Sequence, residues 1–428
     1  TTATNTIAIG REAISVGVLT GTDNTAIGQE AGNDLTSGAY NNFMGYQAGF
    51  NATEANYAIA IGRQAIGTGV LTGTDNTAIG RSAGQDLTSG TYNNFIGYTA
   101  GANATTGSYN VAIGYAPINT GVLTGDDNTA IGRLAGYDLT SGTYNNFMGY
   151  SAGGNATTAS NTIAIGRAAI GTGVLTGTDN TAIGQDAGQD LTSGTYNNFM
   201  GFRAGYNATT ADNTIAIGKQ AIGLGVLTGD ENIAIGNAAG NDLTSGTYNI
   251  LQGYRAGYNA TTASYTIAIG GNAIGSGILT GDSNVAIGRQ SGNDLTSGNY
   301  NNFIGYNAGT NATTGISNVV IGTNTVGLGV LTGSYNTVAG IQAGYDLTSG
   351  TSNVLMGHNA GANVTTGADN TILGPSAGDV LTTGSNNTII GHDAAASSSS
   401  VSNQITLGNG SIATIRAQVT SITALSDR

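Results

Sequence analysis

The feature that most constrains this chain is a glycine, usually preceded by isoleucine, that returns along nearly its whole length. It stands at 10, 28, 45, 62, 80, 97, 114 and 132 and continues in the same way to 408. The steps run 18, 17 and 17 and then repeat, drifting to 17 near the end, so three short units form a 52-residue super-repeat. A fixed period of this kind marks a repeat architecture in which each unit is one small element stacked on the next. The three units differ in their second halves. One carries Ala31-Gly32-Asn33-Asp34-Leu35-Thr36-Ser37-Gly38, the next Ala48-Gly49-Phe50-Asn51-Ala52-Thr53, and the third Ala65-Ile66-Gly67-Thr68-Gly69-Val70-Leu71-Thr72-Gly73.

A unit of 17 residues is too short for two helices and a turn, and the units show no 3.6-residue apolar period. They suit one solenoid coil of two short strands and two turns. The first strand is expected at Thr25-Ala26-Ile27 and its equivalents. The second is expected at Asp34-Leu35-Thr36, Asn51-Ala52-Thr53 or Val70-Leu71-Thr72. Gly28, Gly32 and Gly38 fall where the chain must turn. A small residue fits the tight corner at the third place after the anchor glycine. It is Ala at 13, 31, 48 and 65, with Pro117, Ser291, Thr325 and Ser411 as exceptions. Asparagines closing the units, as at Asn41, Asn56 and Asn76, are expected to stack as a ladder, each amide bonding the coils above and below. About 24 coils at roughly 4.8 Å each would give a rod of about 110 Å.

The first strand is apolar on both faces. Ile9, Ile27, Met44 and Ile61 precede the glycine, while Ala8, Ala26, Phe43 and Ala60 point the other way. A strand apolar on both faces is buried on both, yet one coil has one interior. The second face therefore calls for further copies of the chain. The expectation is that the Ile/Met column fills the coil, and that the other column, with Phe43, Phe95, Phe147, Phe199 and Phe303, forms a chain–chain interface. Leu251 and Leu355 fall in the same register as the phenylalanines.

Composition narrows the function. The chain has 72 glycines, no cysteine or tryptophan, and only 8% charged residues, too few large apolar groups for a thick globular core. Its net charge is −13, and 11 basic residues spread over 428 positions make no phosphate-binding stripe, so nucleic acid is not an expected partner. No stretch of 18 apolar residues occurs, so no membrane-spanning segment is expected, and no signal peptide is visible. Because Thr1–Gly10 matches 157–166, the natural protein is expected to extend upstream.

The motif Asn-Thr-Ile-Ala-Ile-Gly at 161–166, echoed at nearly every coil, resembles the head repeats of trimeric autotransporter adhesins and similar repeats of phage tail fibres. The resemblance covers about 1–395. It implies a parallel β-roll that trimerises, although these units are longer than the usual head repeat. After Ala394-Ala395-Ala396-Ser397-Ser398-Ser399-Ser400 the composition changes, and 396–428 reads as a linker and strand segment. The ending Leu425-Ser426-Asp427-Arg428 looks like the junction to the self-cleaving intramolecular chaperone of phage fibres, which implies a cleavage point at or near Ser426 and Asp427.

The expected fold is thus all-β: an elongated parallel β-solenoid of about 24 coils in a homotrimeric fibre, with residues 1–395 as shaft. The expected function is structural and adhesive, in an extracellular or virion tail fibre that meets a host-surface receptor such as a glycan. The alternatives are an autotransporter passenger and a glycosylated filament. Sequence beyond Arg428 would discriminate, through a chaperone, an anchor barrel or neither. Neither enzyme chemistry nor a cofactor is expected, since no acidic or histidine cluster breaks the repeat.

Four columns are candidates for something more, and each has a plainer reading. Asp34, Asp86, Asp138, Asp190, Asp242, Asp294 and Asp346 could hold Ca²⁺, but a turn aspartate is the more economical reading because members lie three coils apart. Arg11, Arg63, Arg81, Arg133, Arg167, Lys219 and Arg289 follow the anchor glycine and read either as a row for acidic glycans or as exposed turn residues near carboxylates. Asn51, Asn103, Asn155, Asn207, Asn259, Asn311 and Asn363 are formal N-glycosylation acceptors, or simply coil residues. Tyr46, Tyr98, Tyr150, Tyr254 and Tyr306, with Phe202, would stack on sugars or pack between coils. His358 and His392 stand alone and suggest neither metal binding nor catalysis.

Overall fold

The computed structural model describes residues 3–15 and 18–414, in two units, Thr1–Thr266 and Ile267–Arg428. Ser426 and Asp427 lie outside the described residues. Both units are parallel β-solenoids, and no helix occurs among the described residues. Unit 1 has fifteen three-residue strands from Ile7–Ile9 to Ile250–Gln252, and unit 2 has nine from Ile267–Ile269 to Ile405–Leu407. Each strand pairs with the equivalent strand one coil away: Ile7 with Thr25, Thr25 with Asn42, Asn42 with Ile59 and Ile59 with Thr77. One coil is therefore 17 or 18 residues, and Asp34 and Asp86 are three coils apart.

The anchor glycine is required by the stacking distance. At Gly28 φ is +135°, and a Cβ there would lie 2.5 Å from the carbonyl oxygen of Gly45 in the next coil. No side chain fits between backbones that close, so glycine ends the strand at this place in coil after coil.

Just before each strand runs the asparagine ladder. Fully buried Asn93 receives and gives on both sides. Its Nδ2 donates to Asn76 Oδ1 at 3.1 Å and to the Gly107 carbonyl at 2.8 Å, and its Oδ1 accepts the Asn110 amide at 2.9 Å. In unit 1 the run Asn76–Asn93–Asn110–Asn128–Asn145 ends at Thr162, whereas in unit 2 it is unbroken from Asn284 to Asn387. Asn56 is not part of it. Ala58 holds the ladder position in that coil, and Asn56 Oδ1 instead accepts the Ala39 amide at 2.9 Å.

The two faces of the strand are the reverse of the expectation. Phe43, Phe95, Phe147, Phe199 and Phe303 are fully buried inside the chain's own coils, so none is free to meet another chain. The Ile/Met column points outward, with Met44 41% and Ile61 36% exposed. Size explains the choice. The interior is thin, and three positions per coil fill it together: the strand centre, the corner four residues past the anchor glycine, and the opposite wall. In successive coils these are Ala26, Gly32 and Leu35; then Phe43, Gly49 and Ala52; then Ala60, Ile66 and Leu71, all buried. The Phe43 ring lies under both glycine corners. A Cβ at Gly49 would meet it at 2.6 Å and one at Gly32 at 2.9 Å. The third coil has no large strand residue, and there Ile66 turns into the core. It does so at φ +45°, a region that β-branched residues rarely adopt. This cycle of interior fillings, Leu35 in one coil, Phe43 in the next and Ile66 with Leu71 in the third, is the physical content of the 52-residue period. Late in unit 2 it gives way to even coils such as Leu355, Gly361, Val364 and Ile372, Gly378, Leu381.

Two further expectations change. Among the described residues the second strand forms as isolated bridges, for example Ala52 with Leu71 and Ala104 with Leu123. The left-handed corners curl that arc, which is held by single bonds such as Thr36 N–H to Thr53 O at 3.0 Å. Within the segment read as linker and strand, residues 396–407 continue the coil stack. Ser399 O accepts the Thr382 amide at 2.8 Å, and Ile405–Leu407 pairs with Thr388–Ile390, so the solenoid runs through Leu407.

Candidate functional site

Immediately past each anchor glycine the chain makes a four-residue turn, closed for example by Ala48 N–H to Gly45 O at 3.3 Å. Its third residue has positive φ, as at Gln47 (56°), in the manner of a type II turn. The second residue is thereby pushed into solvent, and in-register coils place these residues one above another. The arginines and tyrosines that read as two sets in the sequence are one row. In unit 1 it includes Tyr46, Arg63, Arg81, Tyr98, Tyr115, Arg133 and Tyr150, all exposed.

Members of the row stack on one another. Tyr98 and Tyr115 lie face to face with centroids 5.0 Å apart. Arg81 lies 5.7 Å from the Tyr98 ring, Arg133 sits 5.6 Å from both Tyr115 and Tyr150, and Arg63 is 5.8 Å from Tyr46. Arg81, Tyr98, Tyr115, Arg133 and Tyr150 therefore form one continuous π-stacked run, with each cation over a ring. Both ring faces of Tyr98 and Tyr115 are used within the run, which leaves their hydroxyls and the guanidinium edges as the groups free to meet a partner. Further along, Arg167 and Arg203 approach Asp186 at 3.9 and 3.6 Å, and Arg11 approaches Glu30 at 3.7 Å. The Gln29 and Gln47 amides, with Arg11 adding charge, hold the Glu30 carboxyl below its ordinary value. In unit 2, Arg289 Nη2 donates to Tyr306 Oη at 2.8 Å, and that bond holds the phenol below its ordinary value. The reading of the basic column as exposed turn residues near carboxylates thus holds for part of it. Some members pair with carboxylates, whereas Arg63, Arg81 and Arg133 have only aromatic partners among the described residues.

A second aromatic column escaped the sequence reading. Tyr40 stacks on Tyr57 at 4.9 Å, Tyr92 on Tyr109 at 5.0 Å and Tyr248 on Tyr265 at 5.0 Å, all at corner positions with φ near +58°. The signal was present, since Tyr40, Tyr92, Tyr144, Tyr196, Tyr248 and Tyr300 are spaced by 52. The Glu231 carboxylate raises the Tyr248 phenol.

Most of the remaining candidates are coil residues with local partners, and the buried Oδ1 of Asp346 has no hydrogen-bond partner among the described residues. Asp86, Asp138 and Asp190 accept hydrogen bonds from Thr68, Thr120 and Thr172 of the preceding coil. At Asp242 that threonine is replaced by Leu224, and burial raises the carboxyl. The Asn-Ala-Thr asparagines spend the amide a glycan would occupy on the next coil. Asn51 donates to Thr68 O at 2.8 Å, Asn155 to Thr172 O at 2.9 Å and Asn363 to Asp379 O at 2.6 Å. Asn103, Asn207 and Asn311 do the same. His392 lies 3.0 Å from Asp393, and no group of three His, Cys, Asp or Glu side chains suited to a metal occurs among the described residues. No protein-family model matches the chain, and no curated protein does.

Proposed function

We propose that this chain is the shaft of a structural and adhesive extracellular fibre, most simply a phage tail fibre used for host-surface attachment, in which three copies associate side by side. The observation that supports this best is the outward row Ile27, Met44, Ile61, Ile79, Ile96, which parallel in-register pairing places on one sheet face. A run of outward-facing, partly to well exposed isoleucine and methionine over these successive coils is a larger apolar surface than scattered single residues, and such a surface marks an interaction site. The chain's own phenylalanines already fill the coil, so association covers this row rather than completing the interior. Each isoleucine contributes up to roughly 1.5–3 kcal/mol if fully buried, and in-register repetition makes the gain cumulative. Sedimentation equilibrium of the purified chain is the test. Three chains per particle are expected, and Ile79→Lys with Ile96→Lys should shift the mass toward one. A protein that remains a monomer at every concentration would overturn the reading.

A further inference from the structure

We propose that the Tyr46–Tyr150 stretch of the row in unit 1 binds a linear anionic polysaccharide, with uronate carboxylates as the groups recognised. The inference rests on the adhesive reading above and names its ligand class.

The first observation is electrostatic. The chain is acidic overall, with 24 Asp and Glu against 11 Lys and Arg. Yet Arg63 and Arg81 stand in consecutive coils of the same row, because Ile61 pairs with Ile79 two residues earlier. Like charges on adjacent strands repel, and no carboxylate relieves these two among the described residues. The flanking columns are uncharged as well. On one side are Gln64, Ser82, Thr99, Ala116, Leu134 and Ser151, and on the other is the Ile/Met row. At two other places in the row the fold supplies the acid, Glu30 for Arg11 and Asp186 for Arg167. Between residues 46 and 150 it does not, and an external polyanion would.

The second observation is geometric. Arginines and tyrosines follow one another in the order Tyr, Arg, Arg, Tyr, Tyr, Arg, Tyr at one coil per step, roughly 4.8 Å, a spacing comparable to the length of one pyranose. The stacked run presents edges: hydroxyls and guanidinium N–H groups that donate to oxyanions and sugar hydroxyls. Tyr98 and Tyr115 at its centre have both ring faces covered, by each other and by Arg81 and Arg133. Single-stranded nucleic acid needs open aromatic faces on which successive bases can stack, and the centre of the run has none to give. A polymer of acidic sugars needs only the edges.

The test is calorimetry on the intact chain with three probes: polygalacturonate, neutral dextran and poly-dT. Polygalacturonate should bind, more weakly as salt rises, and dextran should not. Arg63→Gln with Arg81→Gln and Arg133→Gln should lower affinity at least tenfold. Tyr98→Phe with Tyr115→Phe and Tyr150→Phe, which keeps the stack and removes only the hydroxyls, should lower it less. Arg289→Gln in unit 2 should leave it unchanged. Circular dichroism checks that each variant folds. The proposal is overturned by no binding, by unchanged affinity in the triple arginine variant, by dextran or poly-dT binding as tightly, or by a triple arginine variant that changes the number of chains per particle instead. A trimer that ignores polygalacturonate loses this inference and keeps the fibre; a monomer that binds it keeps the site and loses the fibre.

Discussion

At the scale of the residue, asparagine in the ladder does what no apolar side chain could. A buried coil leaves backbone donors and acceptors that neither the strand nor water can satisfy. The Asn93 side-chain amide accepts the Asn110 N–H and donates to the Gly107 carbonyl of the following coil, and it donates to Asn76 Oδ1 of the preceding one. Asn93→Ala should leave these buried groups unpaired, at about 1–3 kcal/mol each. Hydrogen exchange at the Asn110 amide should accelerate by at least tenfold, while exchange several coils away stays the same. Threonine holds the ladder place naturally at 162 and 214, where its backbone N–H donates to the asparagine Oδ1 of the preceding coil and its hydroxyl donates within its own coil, to Ser160 O and Asp212 O. The aspartate column shows the converse. Asp86 has the Thr68 hydroxyl, whereas half-buried Asp242 faces Leu224 and its pKa is raised by desolvation. A raised carboxyl favours the fold below its ordinary pKa, and that contribution fades as pH rises through the raised value. Asp242→Asn should therefore melt slightly higher than the parent at pH 7 and equal it at pH 3, whereas Asp86→Asn should melt no higher at either. Equal melting of Asp242→Asn and parent at both pH values would contradict the assignment.

At the scale of the coil, packing volume is shared among three places. Phe95→Ala empties the place in its coil that no neighbour can refill, because the corners beside it are Gly84 and Gly101. The cost should be about 3–5 kcal/mol, and Phe95→Leu should cost much less. Leucine already fills the same place at 251 and 355. Thermal melts of the two variants, compared with the parent, decide this. If the two melted alike, the volume argument would fail.

At the scale of the whole molecule, the three-coil cycle sets which lengths of chain are interchangeable. Removing 77–128, one 52-residue period in unit 1, joins Asn76 to Thr129 and restores the same local sequence. Removing 77–93, a single coil, joins Asn76 to Asn94 and sets Ile66 beside the Phe95 coil, where Gly84 belongs. The first deletion should melt within a few degrees of the parent. The second should melt clearly lower and lose protease resistance, because two bulky groups compete for one corner. Comparable melting of the two would refute the cycle. The similarity of the periods also makes register slips cheap, which is the physical need that a terminal trimerising chaperone would meet.

Period and coil length were determined by the sequence alone, because an anchor glycine admits no other residue where backbones stack this closely. The ladder was legible for the same reason, since asparagine is the residue whose side chain both donates and accepts along a stack. Which strand face turns inward was not legible. Ile27 and Ala26 are both apolar, and hydrophobicity alone favoured burying the larger, regular isoleucine column. The tertiary structure decided otherwise, because the interior is a shared volume. Phe43 fits only because Gly32 and Gly49 stand back from it, and Ile66 must swing inward at positive φ only because Ala60 leaves a gap. Those complementarities join residues in different coils, and no single column reveals them. The same holds for the candidate site. Arg81 and Tyr98 are 17 positions apart in the chain, and only the coil step brings the guanidinium over the ring.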